Sequence, residues 1–191
     1  MTKTRMEAFS DGVIAILITI MVLELQVPHG GTLEALRAAL PEIGLYLMSF
    51  VFLGIYWNNH HHLLHVTERI NGKILWANLH LLFWLSLIPF VTAWMGESDF
   101  APLAVAVYGV VMIASALGYT IMLYAILALH GPESKLSRAV GSDTKGKLSL
   151  ALYAVAIPLA FVHPAISGAL YVTVSLIWLI PDRRIELLFY G

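Results

Sequence analysis

The chain has 191 residues, of which 59% are hydrophobic and only 12% are charged, and its mean hydropathy is +0.81. This balance excludes an ordinary soluble domain, whose surface must stay largely polar. A net charge of −1 gives no basic field for nucleic acid, and the absence of cysteine excludes disulfides, thiolate metal sites and cysteine nucleophiles. We therefore expect an integral protein of the lipid bilayer that does not bind nucleic acid.

A membrane-spanning helix needs about 20 predominantly apolar residues, and turn sequences divide the chain into stretches of that kind. The first stretch lacks a small-residue cleavage pattern, so we interpret it as a retained helix and not as a signal peptide. Thr32 is the expected N-cap of the second helix, and Pro158 and Pro164 kink or end the last two. The sequence predicts a single all-α domain over residues 1–191, with six spans at about 8–27, 40–64, 74–95, 102–129, 148–163 and 165–181.

Basic residues predict the orientation of these spans, because lysine and arginine accumulate on the cytoplasmic side. They occur near both termini and in the loops after the second and fourth spans; they are Lys3, Arg5, Arg69, Lys73, Lys135, Arg138, Lys145, Lys147, Arg183 and Arg184. The loops on the other side carry only Arg37. Both termini are therefore expected in the cytoplasm.

One face of the first helix combines apolar side chains with a hydroxyl. Its members have the spacing i, i+3, i+4 and i+7 and so share one side of a helix; they are Ile16, Thr19, Ile20 and Leu23. Ordinary helix packing explains such a face, with the threonine hydroxyl bonded to its own backbone. The other interpretation is that this face, which we call the α1 stripe, lines something. The spacing alone leaves both interpretations open.

Polar residues stand at the cytoplasmic end of the same helix. Asp11 lies about one turn inside the apolar stretch, where a carboxylate is costly without a partner. The carboxylate gains from the helix dipole, and Arg5 is near enough in sequence to be its counter-ion. We interpret this end of the helix as a polar lock that fixes the rotation of the helix. Its residues on the first helix are Arg5, Phe9, Ser10 and Asp11.

The second span ends in the consecutive histidines His60 to His62, followed by His65. His61 and His65 have the i,i+4 spacing that suits a metal, and a haem held by two histidines is a further alternative. One helix supplies at most two or three ligands, however, so we favour a hydrogen-bond network between helices that partners the lock. Its expected members are Trp57, His61 and Asn78, and Asn58, Asn59 and the other two histidines of the run are further candidate donors and acceptors. Three consecutive histidines leave open which one contacts the lock. No metal site, cofactor or catalytic residue is predicted, and we do not expect an enzyme.

The first helix resembles that of the transmembrane protein 175 potassium channel family. The family signature is an arginine, three further residues and then Phe-Ser-Asp, which here are Arg5, Phe9, Ser10 and Asp11. Trp57 with the histidines that follow it, Asn78, and Pro89-Phe90 agree as well. The resemblance covers the whole chain and is most specific in the first helix.

The resemblance implies a homotetramer with a central pore lined by the first helix of each subunit. It also implies that the carbonyl-lined filter loop of other potassium channels is missing. Position by position, Ile16 falls on the apolar constriction of the family, Thr19 on a hydroxyl one turn beyond it, and Ile20 and Leu23 on further apolar rings. The locking motif falls on Arg5, Ser10 and Asp11, with Trp57, His61 and Asn78 as its partners.

We therefore expect a weakly to moderately potassium-selective leak channel in the cell membrane. Potassium and other monovalent cations are its expected permeant ions, and no cofactor is expected. The alternative function is a proton-coupled transporter or a proton-conducting channel, in which Asp11 and the histidines would act as a relay. A metal-binding or purely structural membrane protein is the third possibility.

Overall fold

The computed structural model describes residues 2–134, 136–137 and 143–179. These residues form seven α-helices and no strand, which confirms the all-α class. The helices are α1 (Lys3–Leu23), α2 (Leu33–His65), α3 (Gly72–Ser86), α4 (Ile88–Glu97), α5 (Pro102–His130), α6 (Thr144–Leu159) and α7 (Pro164–Leu179).

Side-chain caps determine where the early helices begin. Thr2 accepts a hydrogen bond from the backbone N–H of Arg5, so α1 begins five residues before the predicted span. It ends at Leu23, and the polar turn that leads to Pro28 follows. Thr32 accepts from the N–H of Ala35 at 3.2 Å, which confirms the predicted cap and gives α2 a length of 33 residues.

The predicted third span is broken into two helices. Asn71 caps α3, which ends at Ser86, and α4 begins at Ile88. Pro89 explains the break, because proline has no N–H to donate to the preceding turn and disfavours helical backbone in the residue before it. Together α3 and α4 still cover Gly72–Glu97, slightly more than the predicted 74–95.

The fourth span is close to its predicted bounds, and Gly131, with φ +81°, follows the end of α5. The last two spans differ more. Helix α6 begins four residues before the predicted start because Asp143 accepts a hydrogen bond from Gly146 N–H, and it contains Pro158 one residue before its end. Pro164 is the first residue of α7. Residues 180 and 181 of the predicted sixth span, residues 135 and 138–142 of the loop between α5 and α6, and Arg183 and Arg184 lie outside the described residues.

In the part of the chain that the structure describes, four helical segments are long and apolar enough to cross a membrane: α1, α2, α3 together with α4, and α5. Helix α7 is apolar but has 16 residues. Helix α5 packs along α3 and α6, and α1 lies against α2, α3 and α4. A Cβ added at Gly118 of α5 would lie 3.1 Å from the Leu81 Cα of α3. This glycine therefore allows two helix backbones to approach closely.

Candidate pore helix and polar lock

Helix α1 has one face inside the fold and another on its surface. The buried face consists of Met6, Ser10, Ile14, Leu17 and Met21. The α1 stripe lies on a different side of the helix, where 57% of Ile16, 38% of Ile20 and 80% of Leu23 are exposed on the single chain. An apolar face left uncovered in this way is suited to contact lipid, another chain or a pore. Packing within the subunit therefore does not account for the stripe.

Thr19 is the only polar member of the stripe, and it is also exposed. Its hydroxyl donates a hydrogen bond to the carbonyl oxygen of Ile16 at 2.9 Å. Because the single hydroxyl hydrogen is used by the backbone, the lone pairs of the oxygen remain available as acceptors. Thr19 can therefore offer an oxygen ligand to a cation that passes along the stripe.

Ser10 of the lock joins α1 to α2 and α3 through buried hydrogen bonds. The Asn78 side-chain amide donates to Ser10 Oγ at 2.9 Å, and Ser10 Oγ donates to the Met6 carbonyl at 2.9 Å. His60 Nε2 lies 2.7 Å from Asn78 Oδ1. An amide oxygen can only accept, so Nε2 of His60 is the donor and carries a hydrogen. These contacts fix the rotation of α1 from its buried side.

Asp11 has a different partner from Ser10. Trp57 Nε1 donates to Asp11 Oδ1 at 3.1 Å, and the Trp57 ring stacks on His61 with 6.1 Å between ring centroids. Within the described residues Asp11 forms no ion pair with Arg5; the ion pair at this end joins Lys3 to Glu7 at 3.8 Å. The expected Arg5 counter-ion is therefore not found in the single chain.

The sequence-predicted lock residues thus separate into two groups. Ser10, Asp11, Trp57 and Asn78 are joined by hydrogen bonds or by contact with α1, whereas Arg5 and Phe9 are exposed. Arg5, Phe9 and Ile16 are spaced i, i+4 and i+11, which puts the first two on the side of the α1 stripe. They continue the stripe towards the N-terminus, on a different side of the helix from the buried Ser10.

His60 is the histidine that takes part in the buried hydrogen bonds, a choice among His60 to His62 that the sequence left open. The structure places His60, not His61, on Asn78; His61 is exposed and reaches the lock only through the ring of Trp57. A signal was present in the sequence, since His60 follows the buried Leu53 by seven residues and Ser49 by eleven. That spacing puts His60 on the buried face of α2 and His61 away from it.

The described residues contain no group of three or more His, Cys, Asp or Glu side chains that could hold a metal ion. His61 lies against His62 and His65 through its ring, with centroid distances of 5.8 and 6.2 Å. These rings belong to one helix. A metal ion held by three or more such side chains therefore has no ligand set among the described residues.

Comparison with known proteins gives consistent matches. A model of the family described as "Endosomal/lysosomal potassium channel TMEM175" matches residues 5–89. A protein of Chryseobacterium sp. (strain P1-3) named as a potassium channel is 53% identical over 186 residues, which cover 97% of each chain. A Gallus gallus protein named as endosomal/lysosomal proton channel TMEM175 is 37% identical over 116 residues, which cover 53% of this chain and 22% of that protein.

The fold agrees with a solved structure as well. The crystal structure described as a lysosomal potassium-selective channel TMEM175 homologue from Chamaesiphon minutus matches with a TM-score of 0.81 and 26% identity, covering 94% of this chain and 97% of that one. The matched family is one of ion channels and not of enzymes. With a 53% identical relative along nearly its whole length and a shared fold, the chain belongs to the TMEM175 family of multi-pass membrane channels, as a member of the prokaryotic type.

Proposed function

We propose that the chain is a potassium-permeable leak channel of the cell membrane, in which four copies surround a pore lined by the α1 stripe. The observation that carries this proposal is the exposed stripe on α1, whose opposite side is held by buried hydrogen bonds to α2 and α3. The names of the matched bacterial relatives, both of which refer to potassium channels, support the choice of ion.

The proposed gate is the set of apolar rings made by Ile16, Ile20 and Leu23. Four copies of each side chain around an axis form narrow rings that exclude water when closed, and a hydrophobic constriction can gate conduction by dewetting. A small rotation or outward movement of α1 widens the rings and admits water with the ions. The rotation is limited by the lock, because Ser10 and Asp11 hold the cytoplasmic half of the same helix.

The proposed selectivity comes from Thr19. Four hydroxyl oxygens with free lone pairs replace part of the hydration shell of a dehydrating cation. Four hydroxyls supply fewer strong dipoles than the stacked carbonyl rings of other potassium channels, and no Thr-Val-Gly-Tyr-Gly segment occurs in the chain. We therefore expect weak to moderate preference for potassium over sodium, without a carbonyl-lined filter.

The proposed arrangement in the membrane has six spans, with both termini in the cytoplasm and four identical subunits. The distribution of lysine and arginine supports the orientation. The surface position of Arg5 and Phe9 supports the assembly, because in a tetramer these exposed side chains lie near the axis and within reach of a neighbouring subunit. In this arrangement Arg5 and Phe9 belong to the lock as contacts between subunits, and His61 lies at the edge of that contact.

Proton conduction is the second candidate function. It is favoured by the buried series of His60, Asn78 and Ser10, and by the printed name of the matched Gallus gallus protein. A relay would move protons between Asp11 and the histidines, either coupled to transport or as a leak. This route lies beside the stripe and does not use Thr19.

Flux from proteoliposomes under a potassium gradient tests the proposal and separates the candidates. We expect potassium efflux without a pH gradient. Efflux should become faster when a protonophore is added, because inward movement of protons then dissipates the membrane potential that opposes potassium efflux. Flux that appears only under a pH gradient would instead assign the transport to the Asp11 and histidine route. If potassium flux and proton flux are both observed, and substitutions in the α1 stripe that block the pore abolish both, the two ions pass through one pore.

A further inference from the structure

Three buried hydroxyls join α4 to α2 and α5. Thr92 Oγ1 of α4 lies 2.8 Å from Ser49 Oγ of α2, and Ser49 Oγ lies 3.0 Å from the hydroxyl of Tyr108 on α5. Thr92 Oγ1 also lies 2.7 Å from the carbonyl oxygen of Ile88, the first residue of α4. All three side chains are buried. We call these three residues the hydroxyl chain.

Thr92 is the donor at the α4 end of the hydroxyl chain. Its hydroxyl lies within donor range of both Ser49 Oγ and the Ile88 carbonyl, and that carbonyl can only accept. Between Ser49 and Tyr108 either hydroxyl can be the donor. The hydroxyl chain therefore joins α5 and α2 to the beginning of α4, immediately after the break in the third span.

Helix α4 needs such a connection because its support from α1 is incomplete. A cleft of about 30 Å³ separates α4 from α1 and α2 on one side, lined by Met21, Leu45, Thr92 and Gly96 among others. On the other side an open groove lies between Leu17 and Ile20 of α1 and Phe90 and Trp94 of α4. At the break before Pro89 one residue, Leu87, links the two helices: its N–H donates to the Trp84 carbonyl of α3 and its carbonyl accepts from the Val91 N–H of α4.

We propose that Ser49, Thr92 and Tyr108 are positioning residues for conduction: they hold α4 on α2 and α5, and the position of α4 sets the width of the groove that Ile20 of the pore helix lines. This inference rests on the proposed channel function. The stripe residue Ile20 lines the groove beside α4, so a displacement of α4 changes the space available to that side chain. The hydroxyl chain thus sets the position of one apolar ring without touching the permeant ion.

Single-channel recording of the intact protein in bilayers tests the inference, with variants that remove one hydroxyl at a time. Tyr108→Phe and Thr92→Val should each change the open probability at least threefold, and Thr92→Ser should restore it because the hydroxyl returns. The double variant Tyr108→Phe with Thr92→Val should change it no further than Thr92→Val alone. Such non-additivity is expected of residues that act through one hydrogen-bonded chain.

The structure offers matched controls. Tyr171 is equally buried and donates to the Val105 carbonyl of α5 at 2.9 Å, so Tyr171→Phe removes a bond between helices that does not involve α4. Ser115 is buried and bonds only to the Val111 carbonyl of its own helix, which makes Ser115→Ala the control for Ser49→Ala. Both controls should lower the unfolding temperature without changing the open probability.

Hydrogen exchange measured by mass spectrometry gives a second readout that does not depend on conduction. Amides of residues 88–97 should exchange faster in Tyr108→Phe and not in Tyr171→Phe. If the wild-type chain conducts but the Tyr108 and Thr92 variants match their controls in open probability, the inference is wrong and the channel proposal stands. If the wild-type chain carries no potassium current, the channel proposal and the conduction role fail together, and the exchange data alone then decide whether the hydroxyl chain holds α4.

Discussion

At the scale of single residues, the same side-chain type has different roles according to where its hydrogen bonds go. Thr92 and Thr19 both donate to the backbone of their own helix, but Thr92 is buried beside Ser49 and Thr19 faces outward from α1. Only the exposed threonine has lone pairs that an ion can reach. Burial and partners, more than residue type, therefore distinguish a structural hydroxyl from a candidate ligand.

Thr19→Val should reduce the preference for potassium over sodium. The substitution keeps the shape and removes the hydroxyl oxygen, a loss worth about 1 kcal/mol, or roughly a fivefold fall in the permeability ratio. Thr19→Ser should keep the preference. Reversal potentials in mixed potassium and sodium solutions measure it, with Thr173→Val on α7, another exposed threonine bonded to its own backbone, as the control. An unchanged ratio in Thr19→Val would remove the hydroxyl from the selectivity mechanism.

Asn78→Ala should destabilise the subunit strongly. It leaves the buried His60 Nε2–H without its acceptor and removes one donor from Ser10, which keeps its bond to the Met6 carbonyl, at a cost of about 1–3 kcal/mol. The unfolding temperature of the detergent-solubilised protein should fall by several degrees. Asn58→Ala, at a partly exposed asparagine of α2, should have little effect. Equal unfolding temperatures for the two variants would contradict the role assigned to the buried series.

At the scale of elements, sequence patterns predicted most helices because caps, prolines and apolar runs are local signals. Thr32 illustrates this and is found as the expected cap, whereas Pro164, which was expected to kink or end a span, is the first residue of α7. The break at Leu87 was not predicted, because the apolar run continues through Pro89 and hydropathy alone gives no sign of it. The sequence also left open which histidine contacts Asn78, because this depends on how α2 rotates against α3 and adjacent identical residues give no local indication of that rotation.

Gly118→Ala and Gly54→Ala should have opposite effects on stability, although both add a methyl group within a helix. At Gly118 the new Cβ would lie 3.1 Å from the Leu81 backbone, so α3 and α5 must separate, at a cost of about 1–3 kcal/mol. At Gly54 nothing lies within 4 Å of the new atom, and the gain in helix propensity is about 1 kcal/mol. Thermal unfolding of both variants measures the contrast. A stabilising Gly118→Ala would mean that the two helices do not approach as closely as described.

At the scale of the whole molecule, the two sides of α1 have different roles: Ser10 of the lock lies on the buried side and the stripe on the exposed side. Its buried side binds the rest of the subunit through Ser10 and Asp11, and its exposed side is left for the proposed pore axis. The residues alone do not predict the proposed tetramer, which is implied only by the resemblance to the family. Exposure of Ile16, Leu23 and Phe9 agrees with an assembly that covers them, because long apolar faces are seldom left uncovered.

Asp11→Ala should therefore affect assembly more than permeation. Loss of the carboxylate leaves Trp57 without its acceptor and frees the cytoplasmic end of α1 to rotate. We expect a smaller tetramer fraction on chemical cross-linking, and near-normal conductance in the channels that remain. A fully assembled tetramer with altered conductance would instead move Asp11 from the scaffold to the ion or proton path.

The absence of cysteine from the chain allows the central claim to be tested at one atom. Potassium current through Thr19→Cys channels should be recorded in bilayers before and after addition of Ag⁺, which is close to potassium in size and binds thiolates. We predict lasting block of Thr19→Cys, and no block of the wild type or of Leu176→Cys on the exposed side of α7. Robust potassium current that Ag⁺ leaves unchanged in Thr19→Cys would contradict a pore lined by the first helix.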